Sequence, residues 1–233
     1  MNRSASLSST LAALAGVGFA VLFFLSVFVA DPLRQATDQE LLAWWSDSGK
    51  LRETIISMYF LVLAAPLFLV FLAQLCRRLR SAGELAESWT GLVFGAGVAF
   101  ASLLAVTAIS RGVIAQSIRF SDEPIPGPDT LRYATELSGA LFGMGAMPFA
   151  AITVAIASVI IVRTGVLARW LGWLGFVVAA LTLALAALLI GGLAIPLITL
   201  WTVATSFVMW RTRDAVAADV SVQRSAGAVA ATR

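Results

Sequence analysis

Apolar runs of about 20 residues alternate along the chain with short segments that hold all of its charge. The runs cover 11–30, 55–75, 89–109, 137–162, 170–190 and 193–210, and none contains Asp, Glu, Lys or Arg. A bilayer core is crossed by roughly 20 apolar residues in helical form. Backbone polar groups in lipid must pair within their own segment, and the alternating strands of a membrane barrel are absent. The pattern predicts an all-α polytopic membrane helical bundle with six transmembrane helices. The last two runs share a nearly continuous apolar stretch. Gly191 and Gly192 break it into a tight hairpin, because one helix of that length would overshoot the membrane about twofold at 1.5 Å per residue. The first run is read as a retained helix, being longer than a secretory h-region and carrying Phe28 where a cleavage site needs a small residue.

Charge orients the bundle. With the N-terminus inside, the inner segments carry Arg3, Arg77, Arg78, Arg80, Arg163, Arg169, Arg211, Arg213, Arg224 and Arg233 against four acids, a formal +6. The outer segments carry six basic and nine acidic residues, a formal −3. Basic residues in short loops mark the cytoplasmic side, so both termini are expected in the cytoplasm. Trp89, Trp170, Trp173 and Trp210 fall at the inner ends of runs, where indoles favour the headgroup level. The pI near 9.7 is accounted for by these anchors beside anionic lipid, and no nucleic-acid partner is expected. Fifteen of the sixteen basic residues are Arg, a usage that points to a G+C-rich bacterium and hence to a multi-pass protein of the bacterial plasma (inner) membrane. The single cysteine, Cys76, has no internal disulfide partner.

Outside the runs, 31–52 is the richest soluble segment. Thr37 with Glu40 has the form of a capping box, and Leu41, Leu42, Trp44 and Trp45 fit one helical face. A short surface helix is predicted there, either anchored on the membrane or serving as a lid, with Trp44 and Trp45 its candidate lid residues. Residues 46–49 then turn the chain into the second span. The second outer loop, 111–136, contains FSDEPIPGPD; Asp129 or Thr130 is expected to cap the next helix and Arg132 to pair with Glu136 one turn on. Glu53, Arg111 and Glu136 stand at the outer ends of three spans and form the candidate outer vestibule. The chain divides into a six-helix transmembrane domain, 1–213, and a tail, 214–233, expected to be disordered.

Two GxxxG motifs, Gly91 with Gly95 and Gly139 with Gly143, are expected to pack helices closely inside the bundle or, failing that, to form a homodimer seam. Pro66, Pro148 and Pro196 are candidate kinks in the second, fourth and sixth runs, each two residues after an alanine, Ala64, Ala146 or Ala194. Arg163-Thr164 and Arg211-Thr212 follow the last two prolines at the same spacing, which raises the possibility of three diverged helix hairpins.

Histidine is absent, as are the HExxH, P-loop, GxSxG and GxGxxG signatures, and no carboxylate lies inside a run. No catalytic residue, metal ligand or cofactor is assigned. Hydroxyls such as Ser102, Thr107, Thr153, Ser158, Thr182, Thr199, Thr202, Thr205 and Ser206 are the polar groups of the cores, most expected to bond one turn back.

Residues 163–175 read RTGVLARWLGWLG. This segment, with the Trp pair of the first outer loop and the CRRLR cluster, resembles uncharacterised multi-helix bacterial membrane proteins of actinobacterial type. The resemblance implies the polytopic layout and brings no activity. The leading expectation is a non-enzymatic module that binds lipid, a hydrophobic small molecule or a partner membrane protein. A small permease or channel with proline hinges comes second, and an intramembrane enzyme third.

Overall fold

The computed structural model describes the backbone of residues 3–29, 36–121, 124–188 and 190–230, and the side chains of 13–26, 36–84, 86–121, 124–188 and 190–212. Eight α-helices follow in order: α1 Arg3–Val29, α2 Asp38–Ser46, α3 Ser48–Arg80, α4 Glu84–Phe120, α5 Pro128–Ala140, α6 Met147–Thr164, α7 Arg169–Ala187 and α8 Ile195–Ala230. A π-helical turn, Leu141–Ala146, joins α5 to α6, and a 3₁₀ turn, Gly191–Ala194, leads into α8. Among the described residues there is no strand.

Five helical segments are long and apolar enough to cross a membrane: Ser48–Arg80, Ala86–Phe120, Pro128–Thr164, Arg169–Ala187 and Gly191–Thr212. They make the chain a helical bundle of the multi-pass membrane kind. The first run is helical in α1, but its described apolar part, Ala13–Ser26, is shorter than a span. The tail expected at 214–233 and the residue at position 28 lie outside the described side chains.

The helices pack in a closed circuit. α1 lies against α3, α3 against α4, α4 against α6, α6 against α7, α7 against α8, and α8 returns to α1. Aromatic rings occupy the interior of this circuit. Phe68 meets Phe100 at 4.9 Å and Phe19 at 5.0 Å between ring centroids, and Phe23 stacks on Phe19 at 5.1 Å. All four are buried. Such tilted and edge-on pairs add to the packing that holds helices together in lipid.

Small residues set the helix spacing, though the GxxxG pairs do not behave alike. A Cβ on Gly91 or Gly95 would meet nothing within 4 Å, and both residues are exposed on α4. The internal packing expected of that pair is therefore corrected: the helix face that carries them points outward, and the glycines that α4 turns towards α3 are Gly97, against Leu72, and Gly112, against Met58. Gly139 is part-buried, while Gly143 is buried with the backbone of Gly191 against it. Two further notches use hydroxyls. Ser158 of α6 fills the space beside Gly175 of α7, and Ser206 of α8 fills the space beside Gly16 of α1. Each serine lies ten residues after its proline, Pro148 or Pro196, so two helices suspected of common descent make the same kind of contact with the next helix in the circuit.

The prolines differ in their surroundings. Pro66 lies inside α3, whereas Pro148 and Pro196 each stand in the first turn of an α-helix that follows another helical form. Pro148 has no N–H for the Met144 carbonyl, and its ring crowds that carbonyl. The preceding backbone widens accordingly, and Met147 N–H donates to the Phe142 carbonyl, five residues back. Pro196, a candidate kink, stands in the first turn of α8 directly after the 3₁₀ turn, so the change of helical form falls at the start of its run.

The outer segments follow local chemistry closely. The Thr37–Glu40 capping box is present: Glu40 N–H donates to Thr37 Oγ1 at 3.3 Å, and Thr37 N–H donates to Glu40 Oε2 at 2.8 Å. Asp47 closes α2 and opens α3, its Oδ1 accepting from Gly49 N–H at 2.7 Å and Lys50 N–H at 3.2 Å. The cap expected from Asp129 or Thr130 is corrected to Gly127, with Pro128 at the first helical position.

Candidate functional site

At the start of α3 and the end of α4, a small second core forms from Leu41 and Trp45 of α2, Leu51 and Ile55 of α3, Ala115 of α4 and Leu131 of α5. α2 reaches it because the capping box fixes its start and Asp47 fixes its end, so the helix stands with Leu41 and Trp45 turned inward. Trp45 is only 7 % exposed. A helix lying flat on a membrane would turn these residues to lipid; α2 instead packs them against the end of the bundle formed by α3, α4 and α5.

Two polar ties hold it there. Arg132 of α5 donates through Nη2 to Asp38 Oδ1 at 2.6 Å and to the Ala36 carbonyl at 3.0 Å. The intrahelical Arg132–Glu136 pair is thereby corrected to a tie between the two outer segments. A same-helix carboxylate one turn away gains little in water, whereas Asp38 and a free carbonyl present two acceptors together. Lys50 forms the second tie, its Nζ 2.9 Å from Glu53 Oε2 and 4.8 Å from the centre of the Trp44 ring. The carboxyl of Glu40 is held below the usual carboxylate range by the Thr37 backbone N–H and then by the Thr37 hydroxyl, both of which favour the carboxylate.

Beneath α2 lies a cavity of about 30 Å³, room for roughly two water molecules. Its lining mixes apolar Leu41, Trp44, Trp45, Ile114 and Ala134 with polar Thr54, Ser110, Arg111, Thr135 and Ser138. The hydroxyls share one arrangement. Thr54 donates to the Lys50 carbonyl, Ser110 to Thr107, Thr135 to Leu131 and Ser138 to Thr135, each at 2.9 Å. With their hydrogens committed to the helices, these oxygens keep lone pairs and act as acceptors. Arg111 adds a fixed positive charge and guanidinium donors.

Of the residues predicted for a vestibule, the structure brings Arg111, Trp44 and Trp45 to one cavity. Glu53 is part-buried and engaged with Lys50, and Glu136 is exposed on α5; neither lines the cavity. The three charges are therefore not gathered in one cluster: Arg111 lines the cavity, and Glu53 and Glu136 do not. Sequence reading missed Thr54, Ser110, Thr135 and Ser138. A hydroxyl near the outer end of each of three helices was the available signal, and it becomes specific only when the helices are brought together.

Deeper in the bundle, Thr153, Ser158, Thr202 and Thr205 bond to carbonyls one turn back at 2.7–2.8 Å. The hydroxyls of Thr107, Thr182, Thr199 and Ser206 and the Trp201 indole N–H have no partner among the described residues. The thiol of Cys76 is buried. The inner tryptophans Trp89, Trp170, Trp173 and Trp210 are all exposed on the outside of the bundle. Set beside protein-family models, characterised proteins and solved structures, the chain matches none of them.

Proposed function

We propose that the protein is a six-span, non-enzymatic binding module of a bacterial plasma membrane, with both termini in the cytoplasm and α2 a lid over an outward-facing site. Its ligand is an amphipathic molecule, a lipid or a hydrophobic small molecule, whose polar end enters the cavity beneath α2. The observation that carries this reading is the mixed lining, in which indoles and aliphatic groups share one cavity with Arg111 and four acceptor hydroxyls. The resting cavity holds only water-sized occupants, so entry of a headgroup requires α2 to lift. Its ties are suited to that: one half-exposed ion pair, Arg132 with Asp38, and the contact of Lys50 with the Trp44 ring, of kinds worth at most about 1 kcal/mol each. The Phe19, Phe23, Phe68 and Phe100 cluster favours binding over permeation, since it fills the interior with rings.

A brominated long-chain fatty acid tests the site. Titrated into the purified protein in detergent, it should quench the Trp44 and Trp45 emission saturably, and Arg111→Ala should weaken the effect. Quenching that rises linearly with probe in both proteins would show only partition into the micelle. A permease is the second reading, favoured by the π-helical turn before Pro148, an interrupted helix of the sort on which transport sites are built. Flux of a solute across proteoliposomes would separate the two.

A further inference from the structure

At the opposite end of the bundle, a shallow groove runs between the first turns of α4 and the last turn of α6. Its floor and sides are Ala86, Val159 and Ile160; Trp89 flanks it and Arg163 and Thr164 stand at its end. We propose that this groove binds an anionic phospholipid, with the phosphate on Arg163 and one acyl chain along α6.

The polar groups at the groove divide clearly. Thr164 Oγ1 donates to the Ile160 carbonyl at 2.7 Å and accepts from Val166 N–H at 3.3 Å, so its hydroxyl is engaged in ending the helix. Gly165 takes the left-handed conformation, φ 66°, and completes that ending. Arg163 remains. It is exposed, and among the described residues it makes no ion pair and no side-chain hydrogen bond. Glu84 and Glu87 lie in the first turn of α4 but do not line the groove. A guanidinium with free paired donors matches a phosphate geometrically as well as electrically.

The apolar half supplies what a free phosphate would not use. Beyond buried Ile160, part-buried Ile156 and exposed Ile152 continue the same helix face at one-turn intervals over about 12 Å, and an acyl chain lies along it. Trp89 is 41 % exposed beside it, where an indole sits between headgroup and chain. The same residue types recur one hairpin later, with Trp170 at the start of α7 and Arg211-Thr212 near the inner end of the α8 span. The site is independent of the cavity beneath α2.

Native mass spectrometry of the full-length protein, from micelles doped equally with phosphatidylglycerol and phosphatidylcholine, tests the assignment. Retained phosphatidylglycerol should exceed phosphatidylcholine about fivefold, the effect expected of one well-placed arginine. Arg163→Gln should remove the preference, Arg163→Lys should keep most of it, and Arg169→Gln, which alters an exposed arginine off the groove, should leave it intact. Brominated phosphatidylglycerol should quench the wild-type protein more than Trp89→Phe. Equal retention of the two lipids by the wild type overturns the proposal. So does an equal loss in Arg169→Gln, which would assign the preference to the general basic field, or displacement of the lipid by millimolar inorganic phosphate. Should Arg163→Gln fail to fold, the Arg163→Lys and Arg169→Gln pair still decides.

Discussion

Gly143 and Gly191 meet backbone to backbone: a Cβ on Gly191 would lie 2.9 Å from the Gly143 Cα and 3.3 Å from Met147 Cγ. Each glycine stands five residues before a proline, one in the π-helical turn and the other in the 3₁₀ turn. The two irregular turns thus nest against each other because Gly191 carries no side chain. Irregular backbone at membrane depth survives only where protein buries it, and both glycines are buried.

Gly191→Ala should therefore destabilise the bundle by about 1–3 kcal/mol, the usual cost of forcing atoms into a packed contact. Gly91→Ala and Gly95→Ala meet open space and should be neutral or gain about 0.5–1 kcal/mol from reduced backbone freedom. Thermal unfolding in one detergent distinguishes the two classes; equal losses in all three would mean that α4 presents a different face to the bundle.

Phe100→Ala should be among the most damaging single changes, at about 3–5 kcal/mol. Its ring meets Phe68 at 4.9 Å, Phe23 at 6.1 Å and Phe19 at 6.3 Å, so its removal opens a void touching three helices. Phe120→Ala, at an exposed position near the outer end of α4, is the matched control and should change little.

Arg132→Ala should free α2 without unfolding the spans. The pair with Asp38 is 43 % and 65 % exposed on its two sides, which limits its worth to about 1 kcal/mol or less. The effect should appear as faster amide exchange over Asp38–Ser46 and a red-shifted Trp45 emission, with the unfolding temperature almost unchanged.

The α2 cap should respond to acid in one direction. Because the carboxyl of Glu40 titrates below its ordinary value of 4.5 when folded, its contribution is fully present above that value and lost as pH falls through the lowered one. Trp44 and Trp45 emission should stay constant from neutral pH down to 4.5 and change only below it. Glu40→Gln keeps the reciprocal hydrogen bonds without the charge, so its emission should lack that acid step.

Much of the bundle was legible because lipid leaves the chain few choices. Charge-free runs of 20 residues must be helical, and five of the six emerge as helices of spanning length. Thr37 with Glu40 was equally legible, since a capping box is local. Gly91 and Gly95 were misread because spacing names the residues that share a helix face without naming the direction of that face. Arg132 was misassigned because Asp38, its partner, is 94 positions away. The cavity illustrates the same limit: Arg111, Trp44 and Trp45 drew notice as unusual residues near span ends, while the hydroxyls of Thr54 and Ser138 look ordinary until three helices meet.

The closed circuit has a consequence for how the protein is made. Ser206, which fills the notch beside Gly16, lies in α8 and so leaves the ribosome after the five other helices of the circuit, whereas Gly16 lies in α1 and leaves before them. During synthesis α1 can settle on α3, but its other flank stays open to lipid until α8 arrives. Chains stopped short of α8 expose that flank permanently. The seam between α1 and α8 is accordingly complete only once α8 is in place.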